Sequence, residues 1–209
     1  MLQGRNVTLI CEGRANSLNS DGNTVSVSEI ETLMSTQEET DTRVALYAMY
    51  AQQQDFPTVR VKSPDTGIFF ILLHHAHRLQ GLQILFDTGK GQTKRCTGID
   101  VSQLAEEHTP KLCSALLGLH AYTGCNSTSS FKSKGKVRPL KLLLKHKHYQ
   151  DAFAQLGESL ITSMDVETLI EQFTCEMYGD KRVKQVNALR HSRLLSMCGR
   201  GVHSVSHER

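Results

Sequence analysis

The sequence predicts an α/β fold with parallel strand pairing at the centre of its sheet, followed by a run of basic helices. Strand-like and helix-like stretches alternate from Asn6 to Ile99, the pattern of strand–helix–strand crossovers. From Val101 onward every periodic stretch is helical. The chain of 209 residues is 39% hydrophobic and 22% charged, enough apolar material for one domain with an appendage but not for two full cores. The expected organisation is an α/β core over residues 1–130, a basic helical region over 131–198 and a loose tail over 199–209.

Asn6 to Cys11 (NVTLIC) is a short apolar strand, and Ser17 to Asn23, with its Asp-Gly pair, reads as a loop. Val25 to Val27 returns as the second strand of a hairpin. A helix is predicted from about Thr36 to Gln53, because Val44, Tyr47, Ala48 and Ala51 recur at helical spacing. Pro57 separates it from the β-branched strand Thr58 to Lys62. Ser63-Pro64-Asp65-Thr66-Gly67 then turns into a buried helix over Ile68 to Arg78, with Asp65 as its N-cap. Gln83 to Asp87 is a further strand, followed by a Gly-rich turn and a strand near Lys94 to Ile99. Helices are predicted over Val101 to His108, Pro110 to His120, Pro139 to Lys147, Tyr149 to Leu156, Val166 to Tyr178 and Val183 to Met197.

Composition excludes several classes. The longest apolar run, Ile68 to Leu73, is far below the ~20 residues of a membrane span, so no membrane partner is expected. Residues Met1 to Ile10 hold no apolar core of a secretory signal. The six cysteines are widely spaced without a C-x-x-C pair, the pattern of reduced thiols in an intracellular protein. Tryptophan is absent and aromatics make up 6%, too few for a base-stacking platform. His74, His75 and His77 have no further ligand at matching spacing, Cys113, His120 and Cys125 lack zinc-module spacing, and no phosphate-loop signature surrounds Lys90-Gly91.

The net charge of +3 conceals segregation. Lys132, Lys134, Lys136, Arg138, Lys141, Lys145 and Lys147 follow one another without an intervening acid, while Glu29, Glu31, Glu38, Glu39 and Asp41 lie upstream. Lys132 to Arg138 forms a cationic loop before Pro139, a residue suited to a first helical turn. Lys141, Lys145 and His148 continue at i, i+4, i+7. Such a surface suits an anionic partner, and the phosphate backbone of DNA or RNA matches it; a solvated basic face with snorkelling lysines is the plainer account.

Three polar patterns fall at element junctions: Gln37 to Arg43, Ser63 to Gly67, and His120 to Ser129. Each has a local explanation. Thr36 and Glu39 have capping-box spacing, Glu39 precedes Arg43 by one helical turn, Asp41 suits a helix start, and Gly124 to Asn126 reads as a turn.

Together, Glu-x-Asp at a helix start, Asp-x-x after a strand, and Gly-Cys-Asn before a basic stretch resemble the PIN-like nuclease fold of the flap endonuclease (XPG-type) family. The string TQEETDTR…VRVKSPDTGIFFILLHHAHRL…LFDTG…GLHAYTGCNSTSSF resembles a group of animal proteins associated with mobile elements that carry this domain. The resemblance runs from Ser35 to Leu144, with a looser match near Val183 to Leu194. It implies a three-layer sandwich around a mostly parallel sheet, lacking the strand–helix unit that opens the family's domain. It also implies catalytic carboxylates at Glu39, Asp41 and Asp65 that hold Mg²⁺ or Mn²⁺, helped by the Asn126 amide. Phosphate contacts then fall to Lys132, Lys134, Lys136, Arg138, Lys141 and Lys145. Nuclear residence is implied by the resemblance alone.

Gly67 and Asn126 stand where the family pattern has aspartates, and hard cations depend on ligand charge. The expected activity is therefore that of a degenerate nuclease-like domain that binds phosphate backbone, with at most weak metal-dependent phosphodiester cleavage. Two rivals stay open: a binding module without catalysis, and a domesticated mobile-element fragment that works through protein contacts. Oligomeric state is not legible.

Overall fold

A computed structural model describes residues 7–11, 14–20, 24–36, 40–89, 98–125 and 129–201. Among them are eight α-helices and two small sheets, a mixed α/β composition. No helix among the described residues is long and apolar enough to cross a membrane. The chain divides into two compact units, Met1–His108 and Thr109–Arg209.

The first unit opens with β1 (Val7–Cys11), β2 (Arg14–Ser20) and β3 (Val25–Glu29), an antiparallel meander with Val7 opposite Leu18 and Leu18 opposite Val27. Residues 21–23 of the loop expected at Ser17 to Asn23 lie outside the described residues; its first four, Ser17 to Ser20, are corrected to the strand Arg14–Ser20. Its Asn/Ser-rich sequence carries a loop composition, yet both of its edges are satisfied by neighbouring strands, and backbone pairing outweighs side-chain preference there. Ile30 donates its N–H to the Ala15 carbonyl at 2.8 Å, and a 3₁₀ turn (Glu31–Leu33) buries Leu33.

Helix α1 (Thr40–Gln53) presents Ala45 and Ala48 to the interior. It ends where Asp55 takes a left-handed conformation (φ 56°) and Phe56 N–H reaches back to the Ala51 carbonyl at 3.1 Å, a Schellman-type stop that usually falls to glycine. Next comes a strand–helix–strand crossover: β4 (Thr58–Lys62), α2 (Thr66–Ala76) and β5 (Gln83–Asp87), with β4 parallel to β5 and Lys62 opposite Asp87. Short β6 (Ile99–Asp100) runs antiparallel to β5 and leads into α3 (Val101–Glu106).

The alternation read from the sequence thus yields one parallel pair among the described strands rather than a mostly parallel sheet. The meander is separate, and residues 90–97 of the expected strand near Lys94 lie outside the described residues. The core of this unit is Leu72, Leu73, Leu79, Leu82, Ile84, Phe86, Val101 and Ala105, with Phe69 edge-on to Phe86 at 5.6 Å between ring centroids. Ser102 Oγ joins α3 to β5 by accepting the Ile84 N–H (2.9 Å) and donating to the Leu82 carbonyl (3.0 Å).

The second unit contains α4 (Pro110–Tyr122), α5 (Val137–Lys145), α6 (Lys147–Ala154), α7 (Met164–Met177) and α8 (Val186–Gly201). Its core is aromatic: Phe173 packs on Phe153 (4.7 Å) and Tyr149 (5.2 Å), enclosed by Ala115, Leu119, Leu143, Val166, Ile170 and Met177. Tyr122 Oη and Tyr149 Oη are satisfied at the edge of this core by Thr174 (2.8 Å) and Glu176 (2.9 Å). A Cβ on Gly118 would stand 2.3 Å from the Phe153 carbonyl oxygen, so only glycine permits the close approach of α4 to α6. Helix α4 therefore belongs with the helices, and the units meet after His108 rather than at the expected 130/131 boundary.

Candidate functional site

The acidic positions of the first unit sit where strands end and helices begin. At the carboxyl end of β4, Ser63 Oγ accepts the Asp65 N–H (3.1 Å), and Asp65 Oδ1 accepts the Gly67 N–H (2.7 Å), which makes Asp65 the N-cap of α2 as the sequence indicates. Asp41 occupies the first turn of α1. The two carboxylates converge on one point: the position a Cβ on Gly67 would take lies 3.1 Å from Asp65 Oδ1 and 3.7 Å from Asp41 Oδ2. Two segments distant in sequence thus bring negative oxygens to the same small space. Glu39 and Asn126 lie outside the described residues, as does any Glu39–Arg43 pairing.

Asp87, on the neighbouring parallel strand, was not singled out by the sequence reasoning. It ends β5 opposite Lys62, its backbone carbonyl accepts the Ser63 N–H (2.9 Å), and its Oδ1 accepts the Gly89 N–H (2.8 Å). The signal was present: Asp-Thr-Gly occurs at 65–67 and again at 87–89. Both copies fold into the same carboxylate-to-amide turn two residues on. They then diverge. Gly67 continues into α2, whereas Gly89 turns left-handed (φ 69°) with the Lys62 side chain beside it.

The donor set bears on metal binding. Asp41 and Asp65 offer hard carboxylate oxygen of the type Mg²⁺ or Mn²⁺ takes. Gly67 points at both of them and contributes none. Among the described residues no group of three or more His, Cys, Asp or Glu side chains gathers as a metal site. Two ions ~3.5–4 Å apart need a larger set of bridging carboxylates than Asp41 and Asp65 alone. On α2, the rings of His74 and His75 are in edge contact (4.7 Å). Burial, with the charges of His74 and Arg78, draws the His75 pKa below its ordinary value.

The basic stretch lies in the second unit, and its six candidate cations separate. The Lys136 ammonium is engaged by the end of α4, although the residue as a whole is exposed. Its Nζ donates to the Gly124 carbonyl (2.6 Å), the His120 carbonyl (3.1 Å) and Thr123 Oγ1 (3.2 Å), and stands 3.3 Å from His120 Nδ1. It caps the carboxyl end of α4, where exposed carbonyls and the helix dipole favour a cation, and burial lowers its pKa. Lys134 lies over the Tyr178 ring, 4.7 Å from its centroid. The Arg138 guanidinium reaches the end of α7, 3.2 Å from where a Cβ on Gly179 would be. Lys132, Lys141 and Lys145 are exposed, the last two one turn apart on α5.

The helix boundaries of this stretch differ from the sequence reading. The backbone extends at His146 (φ −125°, ψ 109°), so the expected helix from Pro139 to Lys147 is two helices, and His148 belongs to α6. Leu143 is the buried leucine of α5, while Leu140 and Leu144 remain partly exposed.

Comparison with family models, with curated proteins and with solved structures finds no match to this chain.

Proposed function

We propose that this chain is a degenerate PIN-like, flap-endonuclease-type domain that binds the phosphate backbone of nucleic acid through its second unit. Any phosphodiester cleavage by its first unit is weak and dependent on Mg²⁺ or Mn²⁺. The carrying observation is the acid-free stretch from Lys132 to Lys147, which leaves Lys132, Arg138, Lys141, Lys145 and Lys147 exposed in one chain segment. Clustered exposed cations with no acid between them in sequence attract phosphate without reading sequence, and of the five Lys147 lies near a carboxylate, that of Asp151. On this reading Asp41 and Asp65, with Glu39 beside them in sequence, are the remnant of a metal-binding centre. Gly67 and Asn126 are the positions at which that centre lost charge. The three-layer sandwich is part of the same proposal.

The test is a titration of a fluorescent duplex and of a single strand with the full chain at several salt concentrations. Binding through four to five phosphate contacts gives a log–log salt slope of roughly −3 to −4.5, unchanged in Asp65→Ala. A salt-independent affinity, or no binding to either strand form at low salt, overturns the reading. Mn²⁺-dependent nicking abolished by Asp65→Ala would instead establish an active enzyme.

A further inference from the structure

The second unit carries an apolar groove and, elsewhere on the same unit, an apolar protrusion that does not fill it. The groove, of about 340 Å³, is lined by Phe131, Tyr178, Val186, Leu189 and Leu194. Its rim is cationic: Arg190 and Arg193 line it and Lys134 lies over the Tyr178 ring, with Arg193 also donating to the Tyr178 carbonyl, stacking on that ring and lying near Asp180. The described side chains of α8 include arginines and a histidine but no acid. Glu171, the carboxylate near the start of α8, is occupied by the Val186 N–H at 2.7 Å. A cavity of ~150 Å³ lined by such residues holds a benzene-sized group, so this one admits two aliphatic side chains.

The protrusion is the connection between α6 and α7. Leu160, Ile161 and Met164 are 106%, 85% and 82% exposed, the three most exposed large apolar side chains among the described residues. Their surroundings are acidic: Glu158 precedes them, Asp165 and Glu167 occupy the first turn of α7, and no Lys or Arg lies between Glu158 and Glu167. Apolar side chains displayed together mark contact sites more often than scattered ones do. Here both chemistries of a contact are present on one chain, an acidic apolar plug and a basic apolar socket.

We propose that the occupant of the groove is a second copy of this chain, which inserts Leu160 and Ile161 between α7 and α8 while Glu158 and Asp165 face Arg190 and Arg193. Plug and socket are different surfaces, so the contact is heterologous unless a two-fold axis makes it reciprocal. Either arrangement associates copies without nucleic acid. The groove borders the phosphate-binding stretch at Lys134, while Lys132, Arg138, Lys141 and Lys145 are not among its lining residues.

Sedimentation equilibrium of the full chain, free of nucleic acid, tests this. The wild type should show mass above the monomer that grows with protein concentration and falls in high salt. Leu160→Ser/Ile161→Ser should weaken association by ~100-fold or more, the loss expected for two buried aliphatic side chains. Arg190→Glu/Leu194→Ser should do the same from the socket side; both of its sites are exposed, so folding is preserved. Mixing the two variants should restore a one-to-one pair, because each retains the half the other lacks. A wild type that stays monomeric, association unaffected by either variant, or a mixture that remains monomeric overturns the proposal. So does association seen only after an oligonucleotide or another acidic protein is added.

Discussion

The two units hold charge in different ways. In the first, Asp41 and Asp65 come from separate segments and meet because a helix start and a strand end are brought together; their convergence is a product of topology. In the second, the cations follow one another along a single loop and helix, and the fold disperses them: Lys136 caps α4, Lys134 covers Tyr178, and Lys141 and Lys145 face solvent. A gathered site fails by losing one member, because each carboxylate contributes to the same few ångströms; on the proposed reading Gly67 is such a loss. A dispersed surface loses affinity only in increments, because each phosphate contact acts nearly alone. On the proposed reading, degeneration should therefore reach a metal centre long before it reaches backbone binding.

The largest expected effect follows from dispersal. Replacing Lys132, Arg138, Lys141 and Lys145 together with glutamine should lower affinity for duplex by about 100-fold near physiological salt and flatten the salt slope by roughly 3 to 4 units. Lys136→Met should behave oppositely. It should cost about 1–2 kcal/mol of stability, as the α4 carbonyls lose a charged donor, and leave the salt slope unchanged. Denaturant unfolding alongside anisotropy titrations checks both. Equal losses of binding from Lys136→Met and Lys141→Gln would erase the distinction drawn between a capping and an exposed lysine.

Gathering is tested at Gly67. Gly67→Asp puts a carboxylate into the space shared by Asp41 and Asp65 and should tighten Mn²⁺ binding by about tenfold, read by calorimetry. Its Cβ must be accommodated 3.1 Å from Asp65 Oδ1, a shift of a few tenths of an ångström in a side chain already tied to the residue 67 amide. Gly67→Asn meets the same crowding without the charge and should gain little. If both variants raise affinity equally, charge is not what the centre lacks.

Local chemistry made much of this fold legible. Asp65 before Thr66, and Thr109 before Pro110, announce the starts of α2 and α4 because a short polar side chain satisfies orphan N–H groups wherever it precedes an apolar period. The strands β4 and β5 are likewise legible in their β-branched and aliphatic runs, while their pairing with each other is given by the structure. What stayed hidden depends on partners remote in sequence. The polar strand Arg14–Ser20 is held by edges on both sides. The placement of α4 with the helices rests on Gly118 meeting Phe153. The capping role of Lys136 rests on carbonyls at 120 and 124. Within the candidate site, Asp41 and Asp65 were readable as junction acids, but their shared orientation towards Gly67 was not, since no local pattern encodes it. Asp87 is the instructive case, because a repeated tripeptide marked it and only adjacency of the two strands gives that repeat meaning.

The smallest effect concerns protonation within the first unit. Burial, assisted by His74 and Arg78, depresses the His75 pKa below 6.5 in the fold. The unfolded chain then binds more protons than the folded one between the two values, so this residue's contribution to stability is complete above about pH 6.5 and declines as pH falls towards the folded value. Because His75 is only half-buried, solvent screening limits the effect. His75→Gln removes the titration and keeps a polar side chain of similar reach. Between pH 7.5 and 5.5 the wild type should lose about 1–3 °C more in thermal midpoint than the variant. The same acid sensitivity in both proteins would assign the loss to other groups, and a larger loss in the variant would reverse the sign derived for His75.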